Sequence, residues 1–331
     1  MSIPINQCFA CLEHTTLTDE HIIPQSIGGR LTDKLYCKEC NDIFGRTIDK
    51  EICSNFGHIG TALQIQRERG KIKPFEVKEI KSDTQFHFNG QNLKRKKPIV
   101  KFKVKEDGET LDWADVTARS EEELDKIMGS IRTKYRMSGS DQRSEERHPG
   151  PIDTTYVKVF DTNLIRRAVT KMAYSFLCYK VSSTEVLSEP FHSTRAYIRS
   201  GIKDDLASAN FVHTRFMCDY IRPLHKIHIS LNRRNGLVVG YVMIFGIYRF
   251  TVLLATGYSS RLEWPCLDYT YDPVSMRVVE GNPNFRAPEI TVDQILRPKQ
   301  SKEYVRQELI KGNKVLENYI EGYKLLDIEF E

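Results

Sequence analysis

Two pairs of closely spaced cysteines near the start of the chain constrain its fold more than any other feature. Cys8-x-x-Cys11 and Cys37-x-x-Cys40 place four of the eight cysteines within the first forty residues. Paired knuckles of this spacing are typical of a tetrahedral zinc site, in which four thiolates fill the coordination shell. The alternative is a pair of disulfides. Because residues 1–12 lack a basic and apolar leader, we expect a reducing, cytoplasmic compartment, which favours zinc.

The remaining composition is that of an ordinary globular protein. Hydrophobic residues make up 40% of the 331-residue chain and charged residues 28%, which excludes collagen-like, mucin-like and wholly disordered classes. The longest apolar stretch, residues 236–248, is shorter than the roughly 18 residues that a membrane helix needs. We therefore expect no membrane association, and the length predicts about two domains.

Charge is distributed unevenly along the chain, although the net charge of +5 is modest. Residues 1–70 carry −2, whereas residues 71–105, the basic segment, hold eleven Lys or Arg against three acidic residues and carry +8. The densest part of the basic segment is the run Lys94, Arg95, Lys96 and Lys97. We interpret this run as a surface that contacts nucleic-acid phosphates; the alternatives are a solvated hairpin edge and a nuclear-localisation-like patch.

Changes in periodicity and composition divide the chain into four parts, and the predicted fold class is α+β. The parts are a zinc-braced module over residues 1–70, a basic β-hairpin segment plus helix over 71–137, a linker over 138–152, and an α+β domain of unknown role over 153–331. Because few contacts should cross the linker, we expect a chain truncated near Arg143 to fold.

Local patterns predict the main helices and strands within these parts. Helices are expected over 41–52, 60–69, 120–137, 161–179 and 301–325. Strands are expected over 75–78, 86–88, 99–105, 156–160, 227–231, 237–245 and 248–254. Ser120 begins a capping box at the start of the third helix, and its side chain should bond the amide three residues later.

The residues that carry chemistry lie between and after the cysteine pairs. The run Glu20-His21-Ile22-Ile23-Pro24-Gln25-Ser26 lies between the pairs, Asn41 directly follows the second pair, and Asp49 comes eight residues later. In this order the residues resemble the HNH endonuclease family, also called ββα-metal or His-Me finger nucleases, in its zinc-braced subgroup. The resemblance covers about residues 5–60 and implies a ββα-metal fold there.

The resemblance also implies a role for each residue. His21 would be the general base, and Glu20, Asn41 and Asp49 would hold a catalytic Mg²⁺ or Mn²⁺. The residue types suit these roles, because a neutral imidazole is available near pH 7 and hard cations prefer oxygen ligands. The alternatives are that Asn41 caps a helix and that Asp49 is a solvated charge. Because adjacent strand residues point to opposite faces, Glu20 and His21 need a bulge or strand end to serve one centre.

These observations predict a metal-dependent endonuclease that hydrolyses DNA and holds one structural zinc on Cys8, Cys11, Cys37 and Cys40. By family analogy, we expect a role in bacterial anti-phage defence or restriction, with a defence-system protein as partner. Two alternatives stay open: a non-catalytic zinc-braced DNA-binding protein, and a nuclease gated by a C-terminal sensor domain. The sequence leaves the oligomeric state open.

Overall fold

The structure is a computed structural model of the chain. It describes residues 6–67, 71–79, 84–137, 154–155, 162–202, 208–211, 222–259, 266–280 and 290–296, with Glu303, Tyr304, Gln307 and Leu316. These residues fall into two compact units. The first unit joins the residues up to 72 with those from 162 onwards, and the second contains those from 73 to 155. The division differs from the predicted one, since the N-terminal module and the C-terminal region share a unit.

The N-terminal part of the first unit has two strands followed by two helices. Strand β1 (Leu17–His21) pairs antiparallel with β2 (Thr32–Cys37), which runs directly into α1 (Lys38–Arg46) and then α2 (Ile48–Ala62). This is the expected ββα order. Two helices replace the single helix predicted over 41–52, because the backbone of Thr47 leaves the helical region.

The helix predicted over 60–69 is wrong for its described residues beyond Ala62. There α2 ends, and Gln64 adopts a left-handed φ of 55°, which a continuing helix does not allow. The amide of Ile65 instead bonds the carbonyl of Gly60 at 2.9 Å. The chain therefore turns away from the helix axis immediately after the N-terminal module.

The second unit contains two small sheets and one helix. Its elements are β3 (Phe75–Glu79), β4 (Gln85–Phe88), β5 (Leu93–Arg95), β6 (Ile99–Val104), β7 (Thr110–Thr117), α3 (Glu121–Lys134), β8 (Arg136–Met137) and β9 (Thr154–Thr155). The sheets have the strand orders β5-β4-β3-β9 and β6-β7-β8. The predicted helix cap is confirmed, because the Ser120 hydroxyl accepts from the amide of Glu123 at 3.3 Å.

The C-terminal part of the first unit is a sheet with helices. Its elements are α4 (Thr162–Lys180), α5 (Ser183–Val186), α6 (His192–Ser200), β10 (Ser208–Phe211), β11 (His225–Asn232), β12 (Leu237–Ile244), β13 (Tyr248–Ala255), β14 (Cys266–Asp272), β15 (Arg277–Val278) and α7 (Val292–Leu296). The antiparallel sheet has the order β10-β13-β12-β11-β14-β15. The three strands predicted between 227 and 254 are confirmed. The predicted strand 156–160 and most of the predicted helix 301–325 lie outside the described residues.

Helix α4 lies at the centre of the first unit. It contacts β10 to β13 of the sheet, and it also contacts α2 and β2 of the N-terminal part. Its apolar residues Ile165, Val169 and Met172 are buried. At Gly240 an added Cβ would be 3.0 Å from that of Ala173, so glycine allows close packing against the sheet. Among the described helices, none combines the length and apolar composition needed to span a bilayer. The fold is therefore α+β, as predicted, with one helix buried between the sheet and the N-terminal module.

Candidate functional site

The four cysteines predicted to bind zinc converge in the structure. The Sγ atoms of Cys8, Cys11, Cys37 and Cys40 lie within 4.8 Å of one another, and those of Cys11 and Cys37 are 3.8 Å apart. Tetrahedral zinc with Zn–S bonds of about 2.3 Å requires sulfur–sulfur separations of about 3.8 Å. The cluster therefore has the donors and the spacing that zinc requires. Within the described part of the chain, no other group of three or more His, Cys, Asp or Glu side chains could share one ion.

The backbone around the cluster favours negative charge on the sulfurs. The Cys37 amide donates to Sγ of Cys8 at 3.3 Å, and the Cys40 amide donates to Sγ of Cys37 at 3.4 Å. A left-handed φ of 67° at Leu12 turns the chain so that the Cys8 amide reaches the Glu13 carbonyl. A hydrogen bond from the Cys40 thiol, helped by backbone amides, lowers the pKa of Cys8 to about 4. This sulfur is therefore ready for a cation at neutral pH.

His21 lies at the very end of β1, opposite Thr32 of β2. The strand pairing shifts by one residue between Thr18 and Asp19, so a bulge precedes the Glu-His pair. The distortion expected from the sequence is therefore present in both forms, as a bulge and as a strand end. Glu20 is buried, whereas His21 is only half-buried. The strand thus ends with a buried carboxylate followed by a half-buried histidine whose Nε2 atom is itself buried.

The two carboxylates predicted as metal ligands meet at a lysine far along the chain. Nζ of Lys171, on α4, is 2.6 Å from Oδ2 of Asp49 and also forms an ion pair with Oε1 of Glu20. The Lys171 side chain is only 1% exposed, and its ammonium lies 5.3 Å from the centroid of the Phe44 ring. Asp49 is therefore not a solvated helix charge. One end of the N-terminal module is joined to α4 by a buried ion triad.

Burial and charge have opposite effects on this triad. Burial disfavours the ammonium form of Lys171, but the neighbouring Asp49 and Glu20 outweigh it and raise the pKa above its usual value. Burial also raises the pKa of Glu20, and the Lys171 charge offsets only part of that effect. Lys171 is thus a permanent cation at neutral pH. Removing one member of such a buried group costs about 3–5 kcal/mol, because a charge is left without its partner.

Asn41, in the first turn of α1, reaches back to β1. Its side-chain nitrogen donates to the Thr18 hydroxyl at 3.0 Å and to the Asp19 carbonyl at 3.2 Å. The alternative that Asn41 caps the helix is wrong, because the N-cap is Cys37, whose sulfur accepts from the Cys40 amide. These bonds hold the Asn41 amide against the strand that ends in the Glu-His pair.

Further polar groups of α4 contact the N-terminal module. The hydroxyls of Ser175 and Tyr36 are 2.7 Å apart, and the Tyr174 hydroxyl donates to the Phe9 carbonyl at 3.2 Å. Lys171, Tyr174 and Ser175 have the i, i+3, i+4 spacing of one helix face. This face contacts the first zinc knuckle, β2 and the carboxylate pair at once.

The sequence pattern alone indicates only the apolar face of α4, which lies opposite these polar groups. The signal for the polar face is the absence of charge, since Lys171 is the one charged residue in 168–179. A helix with so little charge on either side is typical of one that is buried all round. A lone lysine in such a helix needs a buried anionic partner, although sequence alone does not identify that partner.

A second contact from the C-terminal region holds the turn that follows His21. Nε2 of His225 donates to the Ile27 carbonyl at 2.8 Å, and Nδ1 accepts from the Phe245 amide at 3.3 Å. The ring is fully buried, and burial lowers the pKa of His225 to about 4. His225 is therefore a neutral tether between β11 and the N-terminal module.

The predicted phosphate-contacting run lies in the second unit, where its members have different surroundings. Its two outer lysines, Lys94 and Lys97, are exposed. Nζ of Lys96 is 2.7 Å from a Glu76 carboxylate oxygen, and the guanidinium of Arg95 lies 5.4 Å from the centroid of an aromatic ring. Two of the four charges are therefore engaged within the unit.

An acidic stretch balances the basic segment. Residues 106–125 hold nine Asp or Glu against one Arg and carry −8, equal in magnitude to the charge of the basic segment. Strand β7 lies along β6, so that Lys101 faces Asp115 and Nζ of Lys103 is 3.7 Å from Oδ2 of Asp112. The charge excess seen in the sequence is thus much reduced within the folded unit.

Comparison with known proteins matches this arrangement to one family. Residues 8–57 match the family model for HNH endonucleases. The match begins at the first cysteine of the cluster and ends within α2, so it contains every predicted zinc and catalytic residue. This segment, the HNH region, is of the nuclease class predicted from the sequence, and nucleic acid is the substrate of that class. No curated protein and no solved structure matches the chain.

Proposed function

We propose that this protein is a metal-dependent HNH endonuclease that hydrolyses phosphodiester bonds of DNA. The Glu20-His21 pair at the distorted end of β1 carries the proposal, because Asn41 is bonded to the same strand within a zinc-braced ββα region. Histidine is a suitable residue type for a general base near neutral pH. A binding protein without catalysis would have no need of a histidine in this position.

In the proposed reaction, His21 takes a proton from water, and the resulting hydroxide attacks phosphorus in line with the leaving 3′ oxygen. The bond from phosphorus to that oxygen breaks, which leaves a 5′ phosphate and, after protonation, a 3′ hydroxyl. Asn41, with Glu20 or Asp49, would hold Mg²⁺ or Mn²⁺ through oxygen atoms, which hard cations prefer. When bound, such a cation stabilises the negative charge that develops on the phosphoryl and leaving oxygens.

We assign a purely structural role to zinc on Cys8, Cys11, Cys37 and Cys40. Four thiolates complete a tetrahedral shell, so no position is left for water or substrate. The proposed division of labour is therefore a closed zinc site for stability and an oxygen-ligand site for catalysis.

Cleavage of supercoiled plasmid with Mn²⁺ tests the proposal. We expect His21→Ala to reduce the cleavage rate roughly 10²–10⁴-fold, because a general base lowers the barrier without contributing to binding. Zinc content, unfolding free energy and DNA affinity should stay close to those of the wild type. His14→Ala, which changes an exposed histidine of the same module, is the matched control and should cleave normally.

The same assay distinguishes a nuclease from a non-catalytic DNA-binding protein. Wild-type protein that is folded, zinc-loaded and bound to DNA, yet cuts neither DNA nor RNA with any divalent metal, would identify a non-catalytic DNA-binding protein. Undiminished cleavage by clean His21→Ala protein would instead remove His21 from the mechanism.

We propose bacterial anti-phage defence or restriction as the setting, and this rests on family analogy. Protection of cells from phage by the wild type, but not by His21→Ala, would support it. Equal survival of cells with either protein would count against it. Neighbouring genes for a nucleotide cyclase, an ATPase or a reverse transcriptase would favour a gated effector.

A further inference from the structure

Only one of the two carboxylate oxygens of Glu20, and one of those of Asp49, contacts Lys171. The lysine contacts Oε1 of Glu20 and Oδ2 of Asp49. In the part of the chain that the structure describes, no hydrogen bond reaches the second oxygen of either carboxylate. Each carboxylate therefore has one oxygen held by an ammonium and one available to a further cation.

Displacement of Lys171 by a metal ion would be costly. Its side chain is 1% exposed on a helix that is packed on both sides, so the ammonium is shielded from water. An ammonium moved away from both carboxylates would be buried without a partner. The contact is therefore one that should persist when the site binds a metal.

We propose that Lys171 is a positioning residue of the catalytic metal site. It holds one oxygen of each carboxylate and leaves the other oxygen of Glu20 or Asp49 as a ligand for the divalent cation. Metal-ligating carboxylates are generally held by such outer contacts, and loss of one typically weakens metal binding 10–100-fold. This inference rests on the proposed function, and it adds to the site a residue 122 positions beyond Asp49, outside the HNH region.

The test is Mn²⁺ affinity, measured by electron paramagnetic resonance on the full, zinc-loaded chain. We expect Lys171→Met to bind Mn²⁺ about 10–100-fold more weakly than the wild type, and Lys171→Arg to recover part of the loss. Arg167→Met is the matched control: it removes another buried cation one turn away on α4, whose guanidinium donates to backbone carbonyls of α6. Its Mn²⁺ affinity should equal that of the wild type.

Other outcomes of the titration would overturn the inference. Unchanged affinity in Lys171→Met would show a purely structural ion pair, and tighter binding would show that the lysine competes with the metal. If the wild type itself neither binds Mn²⁺ nor cleaves DNA, the proposed function fails instead.

A crystal structure of the wild-type chain soaked in Mn²⁺ tests the inference without depending on the folding of a variant. Manganese bound to one oxygen of Glu20 or Asp49, with Lys171 still bonded to the other oxygen of the same carboxylate, supports the inference. Manganese in the position of the ammonium contradicts it.

Discussion

The two ends of the HNH region are held together by different kinds of contact. At one end, all four zinc ligands come from the first forty residues, and their sulfurs lie within 4.8 Å of one another. At the other end, Glu20 and Asp49 meet on Lys171, which lies 122 residues after Asp49. The first contact set is local in sequence, and the second depends on the C-terminal region.

This difference leads us to expect that the segment matched to the HNH family does not fold alone. A segment of about 50 residues buries too little apolar surface to be stable alone, and a metal is one way to compensate. Packing against α4, through Tyr36, Phe9 and the carboxylate pair, is the other. The module therefore packs against the C-terminal region, whereas the predicted linker, 138–152, lies outside the described residues.

Truncation of the chain before α4 should have the largest effect on folding. We expect residues 1–143 to be insoluble or unfolded, because Ile48, Ile52 and Phe56 of α2 would lose the cover that α4 gives to this helix. The structure thus leads to the opposite of the expectation from the linker. Circular dichroism and gel filtration with zinc present are the measurements. A folded, monodisperse fragment would show that zinc suffices for the whole module.

Loss of the zinc cluster should have the next largest effect. Cys37→Ser removes a ligand that also caps α1, and it should sharply lower folded yield, since structural zinc supplies on the order of 10 kcal/mol in small modules. Elemental analysis of the wild type should find one zinc per chain. Cys266→Ser, which changes an exposed cysteine, is the control and should keep the zinc and the yield. Folded, active wild-type protein without zinc would contradict the cluster.

Acid should weaken the tether that His225 forms to the turn after His21. The pKa of His225 is about 4 in the fold, against about 6.5 unfolded, so the stability it contributes is complete above pH 6.5 and falls as the pH drops toward 4. The loss should reach roughly 3 kcal/mol.

Urea unfolding at pH 7, 5.5 and 4 measures this loss, with His225→Gln as reference because glutamine can donate to Ile27 but does not titrate. Subtraction removes the contribution of the exposed carboxylates. Parallel curves for the two proteins would show that this tether does not control acid stability.

The smallest effect is expected in the second unit, where the fold places acidic residues next to the basic segment. Each phosphate contact contributes about 0.9 to the slope of log affinity against log salt. Replacing the exposed Lys94 and Lys97 with Ala should flatten the slope by up to about 2, and equally for all DNA sequences. Replacing Arg95 and Lys96 should change it less, because both are engaged within the unit. If neither double replacement changes the slope of log affinity against log salt, the run is a solvated hairpin edge.

Sequence alone determined much of the HNH region. The cysteine spacing predicted the cluster, because a tetrahedral site needs four donors and two tight knuckles supply them. The order of Glu20, His21 and Asn41, through its resemblance to the HNH family, predicted the ββα arrangement, and apolar runs rich in Val, Ile, Tyr and Phe predicted strands of the C-terminal sheet. These features depend on residues close together in the chain, so local patterns are sufficient to reveal them.

Only the tertiary structure decided which partners the charged residues have. Lys171 appeared as one polar residue in an apolar helix, yet burial next to Glu20 and Asp49 makes it the cation of the carboxylate pair. The basic segment was highly charged in the sequence, yet an acidic strand pairs with it in the fold. Coulomb energy depends on distance and burial, and for residues far apart in the chain the fold alone sets both.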